Sequence, residues 1–480
     1  MMTSGAVLGW TLLSIVAPGA AHLRAGWRKT GLTLLSIYFA GILALLALAL
    51  FQGVDLAGSI AASSSLLIAV TVGAAILGMA WFALVVHSFI VLKPSKLPQN
   101  GQILAGTVAG LMAVLVIAPF GLTAQSLWVG NDTLNDIFTG PGSSSGQEAA
   151  PVRREDPWAG RTRVNILVLG GDADDHRSGV RTDSMHLASI DVKTGNTVLF
   201  SLPRNLEFVP FKPGTPMAEQ FPDGFQLPGA SRATDDLLNS VWEYSDAHPE
   251  IFGGRKHMGP QVLKETIGHI LGVDIDWYVL ANMWGFARLI DAIGGVTLTV
   301  ETDVVFGRYN EGLVKAGTRK LKGADAMWYA RSRTNSDDYT RMRRQRCVIG
   351  ALLGQADPAT VLSRFTAVAK ATKQLIRTDI PRAWLEHLVP LALKVKGAKV
   401  RSVQFVPPLI KTYSPDWEKI RTIAAKALKE SATPRPVAAM GSPSPTPSAS
   451  PSKSTGKPSP TATPTRTNPA TDLTEGCGGI

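Results

Sequence analysis

The chain is poor in cysteine: Cys347 and Cys477 are the only two in 480 residues. They match neither a zinc-ligand spacing nor a disulfide framework. So little thiol is compatible with an oxidising compartment. Histidine is scarce as well, with 8 residues scattered along the chain. No Ser-His-Asp arrangement, HExxH zinc motif or Walker phosphate loop occurs. Charge is missing from residues 31–51 and 103–129, and residues 66–92 carry only His87. Each of these apolar runs exceeds the ~20 residues that cross a bilayer, so three transmembrane helices are expected. A shorter run, 5–21, is interrupted by Pro18-Gly19 and is expected to span, to re-enter or to lie at the interface.

Basic residues are missing from the loop at 52–65, which holds one acid, Asp55. Arg24, Arg28 and Lys29 precede the first long run, and Lys93 and Lys96 separate the second from the third. The positive-inside rule then puts 22–30 and 93–102 in the cytoplasm and everything after Val129 outside. Lys and Arg outnumber Asp and Glu by 48 to 37, a formal charge of +11. That excess calls for an anionic partner, and membrane segments argue for lipid or a phosphorylated substrate over nucleic acid.

Four regions are expected: a transmembrane region over 1–129, a linker over 130–160, a globular domain over 161–431, and a Pro/Ser/Thr-rich tail over 432–480. The tail has too few large apolar residues to bury a core and is expected to be disordered. In the globular domain, Val164–Gly170 reads as a central strand, and Asp183–Val192 and Thr197–Leu202 as a hairpin around Lys193-Thr-Gly-Asn196. Ala233–Tyr244, Gln261–Leu271, Met283–Ile293, Arg341–Leu353 and Asp416–Lys429 read as helices, and Val296–Val304 as a strand. The fold class is α/β, with helices on a central sheet.

Lysine is absent where arginine is densest. Residues 328–346 hold Arg331, Arg333, Arg341, Arg343, Arg344 and Arg346, with Asp337-Asp338 between them. Arginine grips phosphate bidentately where lysine is a point charge. Read as a strand, 327–333 puts Tyr329, Arg331 and Arg333 on one face. Read as a helix, 338–346 puts Arg341, Arg344 and Gln345 on one face. Together they suggest a site for an anion with more than one phosphate. Asp172 ends the first strand and Asp183 opens the next, where α/β domains place ligands. The pair suits turn chemistry, or a hard cation such as Mg2+. Arg204 follows Pro203 at the end of the hairpin's second strand.

The ordered set NILVLGGD (165–172), RTDSM (181–185), FSLPRN (200–205), GFARLIDAIGGV (285–296) and LKGADAMWYARSR with DDYTRMRRQ (321–345) resembles the LytR-CpsA-Psr family of cell-wall glycopolymer ligases. The resemblance covers roughly residues 162–355. It implies an extracytoplasmic α/β/α domain with a mixed sheet behind three or four transmembrane helices. It implies transfer of a glycopolymer phosphate from a polyprenyl-pyrophosphate carrier to a peptidoglycan hydroxyl, with Mg2+ as cofactor. Carried over residue by residue, Asp172 and Asp183 would bind Mg2+, and Asp183 could also activate the acceptor. Arg204, Arg331, Arg333 and Arg341 would clamp the pyrophosphate, with Gln345 and Arg344 beside them and Arg181 next to the metal. The alternatives are a polyprenyl-pyrophosphate hydrolase and a non-catalytic carrier-binding scaffold. The chain departs from the family at Asn205, where Asp is usual; an acid that orients Arg204 or the cation would be missing here.

Overall fold

The computed structural model describes residues 3–138, 157–172, 180–229, 235–355, 376–432, 470–473, 475 and 477. It begins with α1 (Ser4–Val16), a short α2 (Ala20–Arg24), and then α3 (Arg28–Ala62), α4 (Ser64–Val91) and α5 (Gln99–Phe138). The last three are long and apolar enough to cross a membrane. α1, at 13 residues, rises only about 20 Å, short of the ~30 Å hydrocarbon core.

α3 and α5 are 35 and 40 residues long, so each overshoots that core by several turns. The surplus turns meet the globular domain. Helices leave their last carbonyls without partners, and Arg382 of the domain supplies one. Its Nε donates to the carbonyl of Ala61 at 2.8 Å, and its Nη1 donates to Ser64 Oγ and to Asn131 Oδ1 at 2.8 Å. Four residues on, Glu386 accepts a hydrogen bond from Ser59 at 3.0 Å. Phe138, at the end of α5, packs beside Trp277, Ile380 and Trp384. The expected linker therefore starts later than residue 130: 130–138 are the last turns of α5, and 139–156 lie outside the described residues.

The domain is an α/β/α layer structure on a seven-stranded mixed sheet. Its strands are β1 (Arg163–Asp172), β2 (Arg181–Asp191), β3 (Thr197–Leu202), β4 (Trp277–Asn282), β9 (Ile376–Thr378), β10 (Val400–Gln404) and β11 (Thr471–Asp472), in the order β11-β10-β3-β2-β1-β4-β9. β1, β2 and β3 form an antiparallel meander, while β4 lies parallel to β1 and β10 parallel to β3. Alternation along β1 sends Leu167 and Leu169 into the main core. That core is closed by the short α6 (Pro216–Gln220), α7 (Val241–Ala247), α8 (Gly259–Leu271) and α13 (Trp417–Ala432) through Met217, Val241, Leu263, Ile267 and Ile420. The expected helix at 233–244 is thus shorter and later, with a 3-10 turn at Leu238–Ser240 and residues 230–234 outside the described ones.

The other sheet face carries Ile166 and Val168 of β1 and Val279 of β4. α9 (Met283–Ala292), α10 (Gly323–Arg331), α11 (Asp338–Gln355) and α12 (Leu385–Gly397) complete the helices. α9, α10 and α11 share a second core with the ribbon of β5 (Val296–Val300) and β8 (Gly317–Leu321) and the hairpin of β6 (Val304–Phe306) and β7 (Gly312–Val314).

Two expectations need correction. Residues 327–333 are not a strand: 323–331 form α10. Its buried residues Ala326, Met327, Tyr329 and Ala330 follow helical spacing, and Asp291 caps it by accepting from the Gly323 N–H at 2.8 Å. The cysteines do form a disulfide, Cys347 to Cys477, across 130 residues of chain. The tail accordingly returns: Thr471–Asp472 pairs with β10 as the edge strand, and Arg346 donates to Thr471 Oγ1 at 3.3 Å and to the Glu475 carbonyl. Residues 433–469 lie outside the described residues.

Closing so long a loop stabilises the folded state mainly by restricting the unfolded chain. Cys477→Ser is expected to lower stability by about 2–5 kcal/mol. Thermal unfolding of the full chain, with and without reductant, checks this: reductant should lower the midpoint of the wild type and leave the variant unchanged.

Candidate active site

The site is assembled at the C-terminal end of β1. There the register shifts: Gly170 faces Ser184, and Gly171 faces Thr182, which leaves Asp183 as the extra residue of a β-bulge. A bulge re-aims its unpaired residue. The two glycines allow the strands to close up, since a Cβ on Gly170 would stand 2.3 Å from Ser184 Oγ and one on Gly171 2.9 Å from Leu280. Asp183 then meets Arg204, which leaves β3 after Pro203, at 2.5 Å.

The second carboxylate comes from α11. Asp338, in its first turn, lies 3.2 Å from Arg341, 3.4 Å from Arg204 and 3.6 Å from Arg333. Arg341 is 4 % exposed, stands i,i+3 from Asp338 on the same helix, and is fixed once more by donating to the backbone carbonyl of Asp183 at 3.0 Å. Burial pulls the Arg341 pKa down while Asp338 pulls it up. Arg333, on the turn between α10 and α11, is about half exposed. Three arginines against two carboxylates leave one net positive charge before Arg331 is added. Arg331 ends α10 with its guanidinium 5.9 Å from the Trp328 ring.

The expected residues thus divide. Asp183, Arg204, Arg333 and Arg341 converge, and Arg331 precedes Arg333 by two residues. Arg344 does not join them: it is buried, donates to the Ser332 carbonyl at 3.2 Å and to Ser336 Oγ at 3.3 Å, and braces the turn that carries Arg333. Arg181 is held by Glu243 at 2.7 Å and Asp235 at 3.7 Å. The hydrogen bond that Arg181 donates to the Glu243 carboxylate is the largest influence on its pKa, which it raises. Asp172 sits opposite Arg181 in the strand register, and its side chain lies outside the described residues. Asn205 donates to Thr412 Oγ1 at 3.4 Å, while Arg204 is oriented by Asp183 and Asp338.

Asp338 was visible in the sequence only as half of an acidic pair; the signal was its i,i+3 spacing to Arg341. His186 gave no signal at all. It lies on β2 under α11, fully buried, with Nδ1 2.8 Å from Ser201 Oγ. Its Nε2 and the Oε1 of Gln345 are both buried without a hydrogen-bond partner. Gln345 faces His186, since its side chain is the one influence that raises the His186 pKa. Burial, then the Arg341 charge, push the His186 pKa down to about 4.

As a candidate Mg2+ site, the donor set is oxygen only. Asp183 is partly exposed and spends one oxygen on Arg204. Mg2+ needs few protein carboxylates when phosphate and water complete its octahedron, so Asp183 fits as a ligand. No group of three or more acidic, His or Cys residues able to hold a metal occurs among the described residues.

The structure thus sets an arginine cluster ordered by two carboxylates on an α/β/α domain that is docked to three helices long and apolar enough to cross a membrane. The LytR_cpsA_psr family model matches residues 142–409, and the chain belongs to that family. It is 26% identical over 308 residues to a polyisoprenyl-teichoic acid–peptidoglycan teichoic acid transferase TagU of Halalkalibacterium halodurans, covering 62% of this chain and 86% of that one. It is 27% identical over 304 residues to a probable cell wall biosynthesis protein LcpB of Corynebacterium glutamicum, covering 62% of this chain and 63% of that one. Among solved structures, Bacillus subtilis TagV is 22% identical with a TM-score of 0.39, covering 57% of this chain and 99% of that one.

Removing Asp338 leaves three guanidinium groups facing each other. Asp338→Ala is expected to destabilise the protein by about 3–5 kcal/mol, the scale for breaking a largely buried ion pair. An unchanged unfolding midpoint would show that the carboxylate does not hold the cluster. His186 sets an acid limit. Its folded pKa of about 4 lies below its ordinary 6.5, so below 6.5 the unfolded chain binds a proton that the folded protein refuses. Its contribution is complete above pH 6.5 and is lost as pH falls toward 4, by about 3 kcal/mol in all. His186→Asn should flatten the difference between unfolding midpoints at pH 7.5 and pH 4.5.

Proposed function

We propose that this chain is a membrane-anchored phosphotransferase that moves a glycopolymer phosphate from a polyprenyl-pyrophosphate carrier to a peptidoglycan hydroxyl. The observation that carries this reading is the convergence of Arg204, Arg333 and Arg341 on Asp338, with Asp183 presented by the bulge. Cations preplaced around a diphosphate stabilise the charge that builds up as the phosphoryl group transfers. In the proposed step, the acceptor oxygen forms a bond to the phosphorus that bears the glycan. The P–O–P bridge breaks, and polyprenyl phosphate leaves with the bonding electrons. Asp183 takes the hydroxyl proton. Arg341, buried and fixed, positions the diphosphate, while the more exposed Arg333 and Arg331 follow the transferring group. Mg2+ held by Asp183 and Asp172 would add neutralising charge on the phosphate oxygens.

The carrier's tail needs an apolar surface beside the arginines. Val168 is 36 % exposed although it lies on β1, inside a seven-stranded sheet. It faces away from the main core, two residues from Gly170, on the side where Ile166 and Val279 are only partly buried. That strip leads from the bulge toward Trp277 and Phe138, at the end of α5. The reading places α3, α4 and α5 across the membrane with the domain on the outer face, which the positive-inside distribution and the disulfide both favour.

The test uses the full chain in detergent with a polyprenyl-pyrophosphate-linked sugar, with and without peptidoglycan fragments and Mg2+. Transfer to the fragments is expected to need Mg2+. Arg333→Ala, exposed enough to leave the fold intact, should lower kcat/KM about 10²-fold, the scale for losing one such donor. Release of free glycan phosphate with no transfer would instead indicate the hydrolase. Asn205→Asp is expected to leave turnover unchanged, because Asn205 faces Thr412; a large gain would mean that an acid there orients Arg204.

A further inference from the structure

A second cationic concavity lies on the opposite face of the sheet, far from the bulge. It has a volume of about 760 Å³ and is walled by α8, the loop from Gly272 to Ile275 that leads into β4, and the start of α13. Its cations are Lys212, Arg255, Lys256, Lys264 and Arg421. Its acids are Glu265, Asp274 and Asp379. Asp379 is already neutralised by Lys264 on the floor. Four cations then face two acids, an excess of two positive charges.

The excess is not used up inside the protein. Arg421 donates to the His269 carbonyl at 2.9 Å and Arg255 to the Phe252 carbonyl at 3.2 Å, both neutral acceptors. The side chains of Lys212 and Lys256 make no hydrogen bond or ion pair among the described residues. His269, between them, has its pKa lowered by burial and then by Arg421 and Lys212, as expected where positive charges converge.

Its position says which anion. Asp379 on the cavity floor is three residues from Arg382, which is bonded to the ends of α3 and α5. Three residues span at most about 10 Å. Tyr278, also in the wall, adjoins Trp277, which packs in the cluster that includes Phe138 of α5. The cavity therefore lies at the end of the sheet that meets the helix bundle, whereas Asp183 lies toward the other end of β1, about 15 Å along the strand from Ile166.

We propose that this cavity is a second anion site, which takes the phosphodiester of an anionic lipid headgroup at the bilayer surface and holds the domain against the membrane. The proposal rests on the placement of α3, α4 and α5 across the membrane and not on the reaction at Asp183. Its volume is within the range of small-molecule sites and suits a phosphoglycerol headgroup better than a lone phosphate.

The full chain is purified in detergent and titrated with phosphatidylglycerol or phosphatidylcholine, and retained lipid is counted by native mass spectrometry. Wild type is expected to retain phosphatidylglycerol preferentially. Lys212→Gln combined with Lys256→Gln, both exposed and unpaired, should reduce that preference at least fivefold while leaving carrier cleavage unchanged. Equal retention of the two lipids, or an unchanged preference in the double variant, overturns the proposal. A second arm titrates soluble poly(glycerol phosphate). Binding of the polymer that is lost in the double variant, with no lipid preference, overturns the headgroup as the source and assigns the phosphodiester to a glycopolymer. Loss of cleavage with lipid preference intact would count against the reaction alone.

Discussion

Like charges do not gather without a reason, and in this protein the reason is Asp338. It lies within 3.6 Å of Arg204, Arg333 and Arg341, which come from three different elements. Each arginine alone is a strand end, a turn or a helix face. Shared contact with one carboxylate makes them a single site, and Asp183 adds a second hold on Arg204. The cost is local repulsion, which the two acids offset while leaving the cluster net positive. A cluster exactly neutralised from within would have no field to offer a diphosphate; one without Asp338 would splay. The buried Arg344 extends the same logic outward, since it fixes the turn on which Arg333 stands.

Much of this was legible in the residues. The continuous apolar run of β1, the glycine pair at its end, and the Pro203 break before Arg204 all follow local rules, and β1, β2 and β3 form where strands were expected, whereas the single strand expected over Val296–Val304 is divided into β5 and β6, which pair in different sheets. The arginine-rich segment was recognisable by its lack of lysine. What was not legible depends on contacts far apart in sequence. Residues 327–333 read as a strand with a period of two, and the helix over 323–331 wins because Asp291 caps it and because Gly323 lets α10 approach α9 so closely that a Cβ there would stand 1.9 Å from the Ala287 carbonyl. Two cysteines 130 residues apart carry no spacing signal, so neither the bond nor the return of the tail to β10 could be read from the chain. His186 is silent for a related reason: its neutrality comes from burial beside Arg341, a neighbour supplied by another element.

The disulfide joins the same helix that carries the site. Asp338, Arg341, Arg344, Gln345 and Cys347 all lie on α11. Three of the arginines on this helix, Arg341, Arg344 and Arg346, are buried, so guanidinium groups occupy much of the buried face along that stretch that apolar side chains would otherwise fill. A covalent bond to the edge strand, backed by Arg346, holds it down where apolar contact cannot.

The sheet also fixes distances. Ten residues of β1 span about 30 Å, with the arginine cluster at one end and the helix bundle docked near the other. An isolated tether would leave that axis free to tumble; Arg382 removes the freedom by satisfying a helix carbonyl and three side chains at the ends of α3, α4 and α5. The chain length of α3 and α5 beyond a bilayer core then becomes intelligible, because the extra turns are the platform on which the domain stands. With orientation set in this way, the two sheet faces acquire different tasks. The face with Val168 offers apolar surface running from the bundle toward the arginines, and the face with Lys212 and Lys256 offers charge at the bundle end.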